Sequence, residues 1–170
     1  MARFTVNATR SDPYKDFKFR LKWDGRYVAG ISKVSALKRT TEVVRHRDGG
    51  DLGGERKSPG ASIFEPITLE RGLTRDGEFE QWALMITSGA PLKKFKKDVR
   101  LEVMDEAGQL VLAYTIHRCW PSQYRAVPDL DENTVVTEFE SIVLENDGWE
   151  RDPSIPRPTG PAGKRRTRSE

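Results

Sequence analysis

Residues 63–87 constrain this chain most, because there the spacing of apolar side chains changes period. Ile67 and Leu69 alternate as in a half-buried strand, a pattern that can run on through Gly72 and Leu73. Phe79, Trp82, Ala83 and Ile86 then fall at i, i+3, i+4 and i+7, on one face of a helix. The switch lies near Thr74. Either Thr74 or Asp76 is expected to cap the helix, and Glu78 and Glu80 put negative charge at the positive end of its dipole. Burying Phe79 and Trp82 is worth roughly 1.5–3 kcal/mol each, so packing rather than propensity must hold so short a helix. It needs a sheet to lie on.

The rest of the chain supplies that sheet. Phe17, Phe19, Leu21 and Trp23 alternate with Lys18, Arg20 and Lys22, which predicts a strand with one apolar and one basic face. Asp24-Gly25 is a two-residue hairpin turn, because both residues tolerate positive φ, and residues 26–34 are expected to return as a second strand. A third strand is predicted over residues 37–47, where Thr40, Thr41, Val43 and Val44 suit a pleated surface. Residues 48–60, rich in glycine and charge and without periodicity, read as a long excursion, the first place to expect contact with a partner. Residues 63–72 follow as a strand in which Pro66 implies an edge or a bulge. After the helix, Lys93, Lys94, Lys96 and Lys97 form a basic linker. Val99, Leu101 and Val103 alternate up to a turn at residues 105–108, and Leu110, Leu112, Tyr114 and Ile116 return. Trp120-Pro121 is expected to close that strand, residues 122–127 to form a short extended piece, and residues 135–145 a last strand.

The resulting division is an N-terminal arm over 1–16, a β-domain over 17–150 and a proline-rich basic tail over 151–170, too poor in large apolar side chains to order itself. Roughly seven or eight antiparallel strands with one flanking helix indicate a mainly β sandwich or barrel.

Charge narrows the function. The net charge of +3 is the difference between 29 basic and 26 acidic residues, and much of the excess is Lys164, Arg165, Arg166 and Arg168. The domain itself is near neutral, unlike a dedicated nucleic-acid binder. A small sheet-based nucleic-acid-binding module, using Lys18, Arg20 and Lys22 with Phe17, Phe19 and Trp23, stays as the alternative. Cys119 is the only cysteine, which excludes an intramolecular disulfide and a cysteine-rich zinc site. No secretory leader or membrane span is legible, so synthesis and assembly in the cytoplasm are expected. His46 and His117 lack a third metal ligand at useful spacing, and His117 with Cys119 reads as an ordinary sheet pair rather than a thiolate dyad. The glycines near residue 50 match neither a phosphate loop nor a calcium loop. No cofactor and no catalytic site are expected.

The order of motifs is more specific than any one of them: GISKVSALKRTTEVVRHRDGGD at 30–51, RKSPG at 56–60, ITLERGLTRDGEFEQWA at 67–83, CWPSQY at 119–124 and VVTEFESIVLENDGW at 135–149. Together, across residues 4–150, they resemble the inner tail-tube protein of contractile phages and extracellular contractile injection systems. This resemblance implies a tail-tube, or haemolysin-coregulated-protein-like, β-barrel with a flanking helix. It implies homo-hexameric rings stacked into a tube inside a sheath protein, with baseplate or hub and terminal cap proteins at its ends and cargo effector or DNA in the lumen. The particle would be a phage tail or a related device released outside the cell. The loop reaching the next ring would map to Arg47, Asp48, Asp51, Leu52, Glu55, Arg56 and Lys57. Phe79, Trp82, Ala83 and Ile86 would pack the helix on the barrel. Core strands would contribute Phe17, Phe19, Leu21, Trp23, Ile67, Leu69, Val99, Leu101, Val103 and Trp120. Where that family often has glycine in a turn, this chain has Ala36.

Overall fold

The computed structural model describes residues 18–47, 49–50, 54–72, 74–127, 132–133 and 140–156. Its strands are β1 (Lys18–Trp23), β2 (Arg26–Val28), β3 (Ile31–Val34), β4 (Arg39–His46), β5 (Arg56–Phe64), β6 (Ile67–Arg71), β7 (Lys97–Met104), β8 (Leu110–Arg125), β9 (Glu140–Glu145) and β10 (Trp149–Arg151). Helix α1 (Glu78–Thr87) and the single turn α2 (Leu92–Phe95) lie between β6 and β7.

All the pairings are antiparallel. The main sheet has eight strands in the order β2-β1-β7-β8-β9-β6-β3, with β10 also on β8; β4 and β5 form a separate two-stranded sheet. The long β8 joins two halves. Its first part, from Leu110 to Cys119, pairs with β7, whereas Trp120 to Arg125 pair with β9. The path ends at β2 and β3, so the expected barrel is not closed; the sheet instead folds about its own apolar face and α1.

One cluster forms the core: Leu21, Trp23, Ile67, Leu69, Phe79, Trp82, Val99, Leu101, Ile116, Cys119, Ile142 and Leu144 are buried together with Val28. Trp82 packs 5.0 Å from Trp23 with the rings tilted at 51°, and the Trp23 ring is also 6.0 Å from Phe79. The Trp82 indole N–H donates to the Phe95 carbonyl at 2.6 Å, tying α2 to α1. The expected basic linker thus contains a helical turn with Lys93 and Lys94 on it.

Several local expectations are corrected. Residues 26–34 are two strands, because Gly30 at φ 78° turns the chain away after β2 and delivers β3 to β6. Pro66 marks the break between β5 and β6, and β6 is interior, flanked by β3 and β9. Thr74 and Asp76 each accept a backbone N–H two residues on, so the chain makes two side-chain turns and the helix starts later, with Gly77 as N-cap. Pro121 does not close a strand: β8 continues through it, and the register shifts between Pro121 and Gln123. Cys119 and Pro121 take the inward positions, which by period-2 alternation leaves Trp120 only partly buried. Ala36 is not among the residues with positive φ, so alanine fits its turn without strain.

The last correction concerns the tail. Arg151 belongs to β10, the Asp152 N–H donates to the Ala113 carbonyl, and the Asp152 carboxylate accepts from Arg100 at 2.9 Å. Hydrogen bonds from Ser154 and Arg100 depress the Asp152 pKa to about 2. Residues 1–17, 134–139 and 157–170, and with them all of the expected arm, most of the expected tail and about half of the expected last strand, lie outside the described residues.

Candidate assembly interface

The strand expected over residues 37–47 is β4, and its partner β5 begins at Arg56, inside the excursion expected over residues 48–60; the two make a ribbon. β4 and β5 pair from Arg39 opposite Phe64 to His46 opposite Arg56, with a bulge between Thr41 and Val43. Gly60 sits at that bulge against Val44, where a Cβ would come within 2.9 Å of a Val44 methyl. The ribbon is rooted by the Glu65 N–H donating to the Lys38 carbonyl and by Thr40 and Lys38 on the Glu65 carboxylate. Beyond that root none of its residues is buried. Val43 and Ile63 are 57% and 65% exposed.

The contact residues expected from sequence are distributed along this ribbon. Arg56 and Lys57 are strand residues facing His46 and Arg45, Glu55 reaches Arg45 at 3.8 Å, and Arg47 is exposed at the strand end. Asp48, Asp51 and Leu52 fall outside the described residues, as does Phe17. The glycines and charges hid the start of β5 because none of its residues is buried, so no alternation was required of it. The signal that could have found it was the β-branched run Thr40, Thr41, Val43, Val44, followed to its pairing partner.

On the body, the helix residues divide: Phe79 and Trp82 are buried, whereas Ala83 and Ile86 are only partly so, and Leu84 is exposed. Phe19 and Val103 sit at the edge of the core. Sequence reasoning missed Arg71, which is fully buried at the end of β6. It donates to Glu140 and to the Asp76 carbonyl, and its guanidinium lies 4.0 Å over the Phe79 ring. Tyr124 donates to the same Glu140 at 2.7 Å; burial, and then that hydrogen bond, push its pKa up. This cluster fastens the helix entry to β6, β8 and β9.

The basic face of β1 is internally compensated. Arg20 donates to Glu102 at 2.6 Å and lies 4.3 Å over the Tyr27 ring, and Lys22 lies over the same ring. Burial alone would raise the Glu102 pKa, but hydrogen bonds from Arg20 and Arg100 outweigh it and the carboxyl sits below its ordinary value. Phe19 and Trp23 point into the protein instead of offering stacking platforms, so a base-stacking sheet finds no support here.

No nucleophile is prepared at the histidine–cysteine pair. Cys119 is fully buried and desolvation pushes its thiol up to about 12, while His117 faces Glu150 at 3.2 Å. Among the described residues no group of His, Cys, Asp and Glu could hold a metal ion, and no helix is long and apolar enough to cross a membrane.

Comparison with solved structures returns chains of contractile injection particles. The chain is similar to a component of an extracellular contractile injection system's PVC sheath–tube complex in the extended state, with 22% identity, 84% of this chain and 93% of that one covered, and a TM-score of 0.67. It is similar to a chain of the anti-feeding prophage tube-terminating cap at 21% identity, with 89% and 99% covered and a TM-score of 0.70. It also resembles a chain of that prophage's baseplate at 18% identity, with 83% and 96% covered and a TM-score of 0.65. At these identities the likeness is one of fold. No curated protein sequence matches the chain. The profile of the T4-like virus tail tube protein gp19 matches residues 15–150. With most of its length matched, the chain belongs to the T4-like virus tail tube protein family and is a structural subunit of a tube.

Proposed function

We propose that this subunit forms hexameric rings that stack into the inner tube of a contractile injection machine, surrounded by a sheath and ended by baseplate and cap proteins, with a lumen that passes DNA or effector cargo. The observation that carries the reading is the β4–β5 ribbon. Two paired strands without a third layer are marginal in water, and this pair stands on the body by its root alone, with Val43 and Ile63 exposed. A second copy of the chain is the surface that would cover them. The short edge strands β2 and β3 add support: among the described residues each leaves one side unpaired, and pairing between neighbours would remove both edges while setting the angle that closes a ring. Sheath, cap and baseplate partners are inferred from the complexes in which the similar chains occur. Assembly in the cytoplasm of the producing cell follows from the same reading.

The tube itself has no chemistry to perform in this scheme; the sheath supplies the work. Negative-stain microscopy of the purified chain tests it. Uniform rings or tubes are expected. A dispersed monomer that shifts a labelled oligonucleotide would refute it in favour of nucleic-acid binding. Deleting residues 51–57, which removes the Arg56 and Lys57 pairs, should leave a folded protein that forms rings but does not stack them. Long tubes from that deletion would remove the ribbon from the stacking contact.

A further inference from the structure

The apolar face of β1 has different neighbours at its two ends. Trp23 meets Trp82 of α1, whereas Phe19, on the same face, opens onto an apolar groove of about 480 Å³. Phe19, Tyr114 and Trp149 are its aromatic walls, Val34, Leu37 and Val103 line it with them, and no charged side chain does. A second surface is uncharged without any need of the monomer. Residues 81–92 carry no charge in a chain of which 32% is charged, yet Gln81, Leu84, Thr87, Ser88, Pro91 and Leu92 are all exposed. Leu84 and Leu92 are 56% and 65% exposed, on consecutive helices tied together by the Trp82 N–H and the Phe95 carbonyl.

We propose that the groove receives the α1–α2 corner of a second copy, with Leu92 and Leu84 as the inserted side chains. Three observations select this occupant. The first is charge: corner and groove are both uncharged, so closing one on the other strands no ion away from water. The second is position. α2 leads into the Lys97 end of β7, where Lys97 holds Asp24, while the groove lies at the other end, where Val103 pairs with Phe19. Roughly 20 Å of strand separates the two ends, and α2 is fixed to α1, so a copy does not fill its own groove. The third is symmetry. Each copy carries one corner and one groove on different parts of its surface, so the contact is heterologous and repeats head to tail, as a polymer requires. The ribbon of a second copy also exposes Val43 and Ile63, but its strands carry Arg39, Glu42, Arg45, Arg56 and Lys57. Seating it would desolvate those charges against a wall without a counter-ion.

The contact rests on the tube reading only in needing a neighbouring copy. Its test uses two full-length variants, Leu92→Cys and Leu37→Cys, mixed as monomers, allowed to assemble, treated with a short bismaleimide and run on a denaturing gel; the native Cys119 is buried. A covalent dimer is expected from the mixture and from neither variant alone. No dimer from the mixture, or equal dimer from one variant by itself, would overturn the contact. Electron microscopy of the same samples separates the two readings: tubes without the dimer remove this contact and leave the tube, whereas the dimer without rings or tubes keeps the contact and removes the tube. As a second measurement, Leu92→Asp should raise the concentration at which the chain pellets as assemblies by roughly tenfold or more, the worth of one buried leucine, with no change in Tm. Pelleting at the unsubstituted chain's concentration would also overturn it.

Discussion

The body and the ribbon are made of the same material and held by opposite means. Both are antiparallel, hydrogen-bonded and rich in β-branched residues, with register fixed by pairing. In the body the cluster of Leu21, Trp23, Phe79 and Trp82 gathers most of the buried apolar side chains, whereas no residue of the ribbon strands is buried. The difference shows that strand pairing gives shape while a third layer gives stability. On the proposed reading, the ribbon is the piece that would take its third layer from a neighbouring copy.

That contrast can be attacked from the body first. Trp82→Ala removes the largest buried side chain, its contact with Trp23 and its bond to Phe95, and should cost about 3–5 kcal/mol. Thermal denaturation followed by circular dichroism should show a large fall in Tm, and tube yield should fall with it. Earlier unfolding with a normal tube yield would confine Trp82 to the core. Next, Arg71→Ala leaves Glu140 buried beside Tyr124 without its cation, at a cost of about 3 kcal/mol. Unchanged urea unfolding would mean that the cluster positions the helix entry without stabilising it.

The ribbon should respond in the opposite sense. Ile63→Asp, at a side chain 65% exposed, should change monomer stability by less than about 0.5 kcal/mol while abolishing tubes seen by electron microscopy. A variant that melts early would make the ribbon part of the body after all. The smallest effect belongs to acid. The folded Asp152 carboxyl titrates near 2, below its ordinary value of 3.8, so its contribution is present above pH 4 and is lost as pH falls from about 4 towards 2. Asp152→Asn should therefore flatten only that limb of a stability–pH curve measured by urea titration. A difference persisting at pH 2 would point to packing, not charge.

The legible parts of this fold are those where one face is dry. Phe19, Leu21 and Trp23 announced β1, Asp24-Gly25 made its turn at φ 50° and 75°, and Phe79 with Trp82 announced α1, because burial imposes a period. The first half of β5, residues 56–60, was read as part of an irregular excursion for the converse reason. With both faces exposed, Arg56 and Lys57 are as acceptable in a strand as valine, and Pro59 can sit opposite Val43 beside a bulge. Gly30 hid the parting of β2 from β3, since positive φ at one glycine redirects a chain without disturbing the hydrophobic pattern around it. Pro121 misled in the other direction, because a bulge lets β8 continue past a residue that donates nothing. Arg71 was illegible on principle: a charge on an alternating strand reads as outward unless its two acidic partners, one of them far along the chain, are already known to converge on it.

Cys119 takes on another meaning once the subunit is counted in multiples. A tube repeats every group on its subunit many times over, so one reactive thiol per chain would become a dense, regular lattice of them. Any oxidant met by the particle could then weld ring to ring. With Cys119 fully enclosed and its thiol held neutral up to about pH 12, that lattice is chemically silent. The same silence leaves room for a reporter: a cysteine introduced on the surface would be labelled alone, once per subunit, in register along the whole filament.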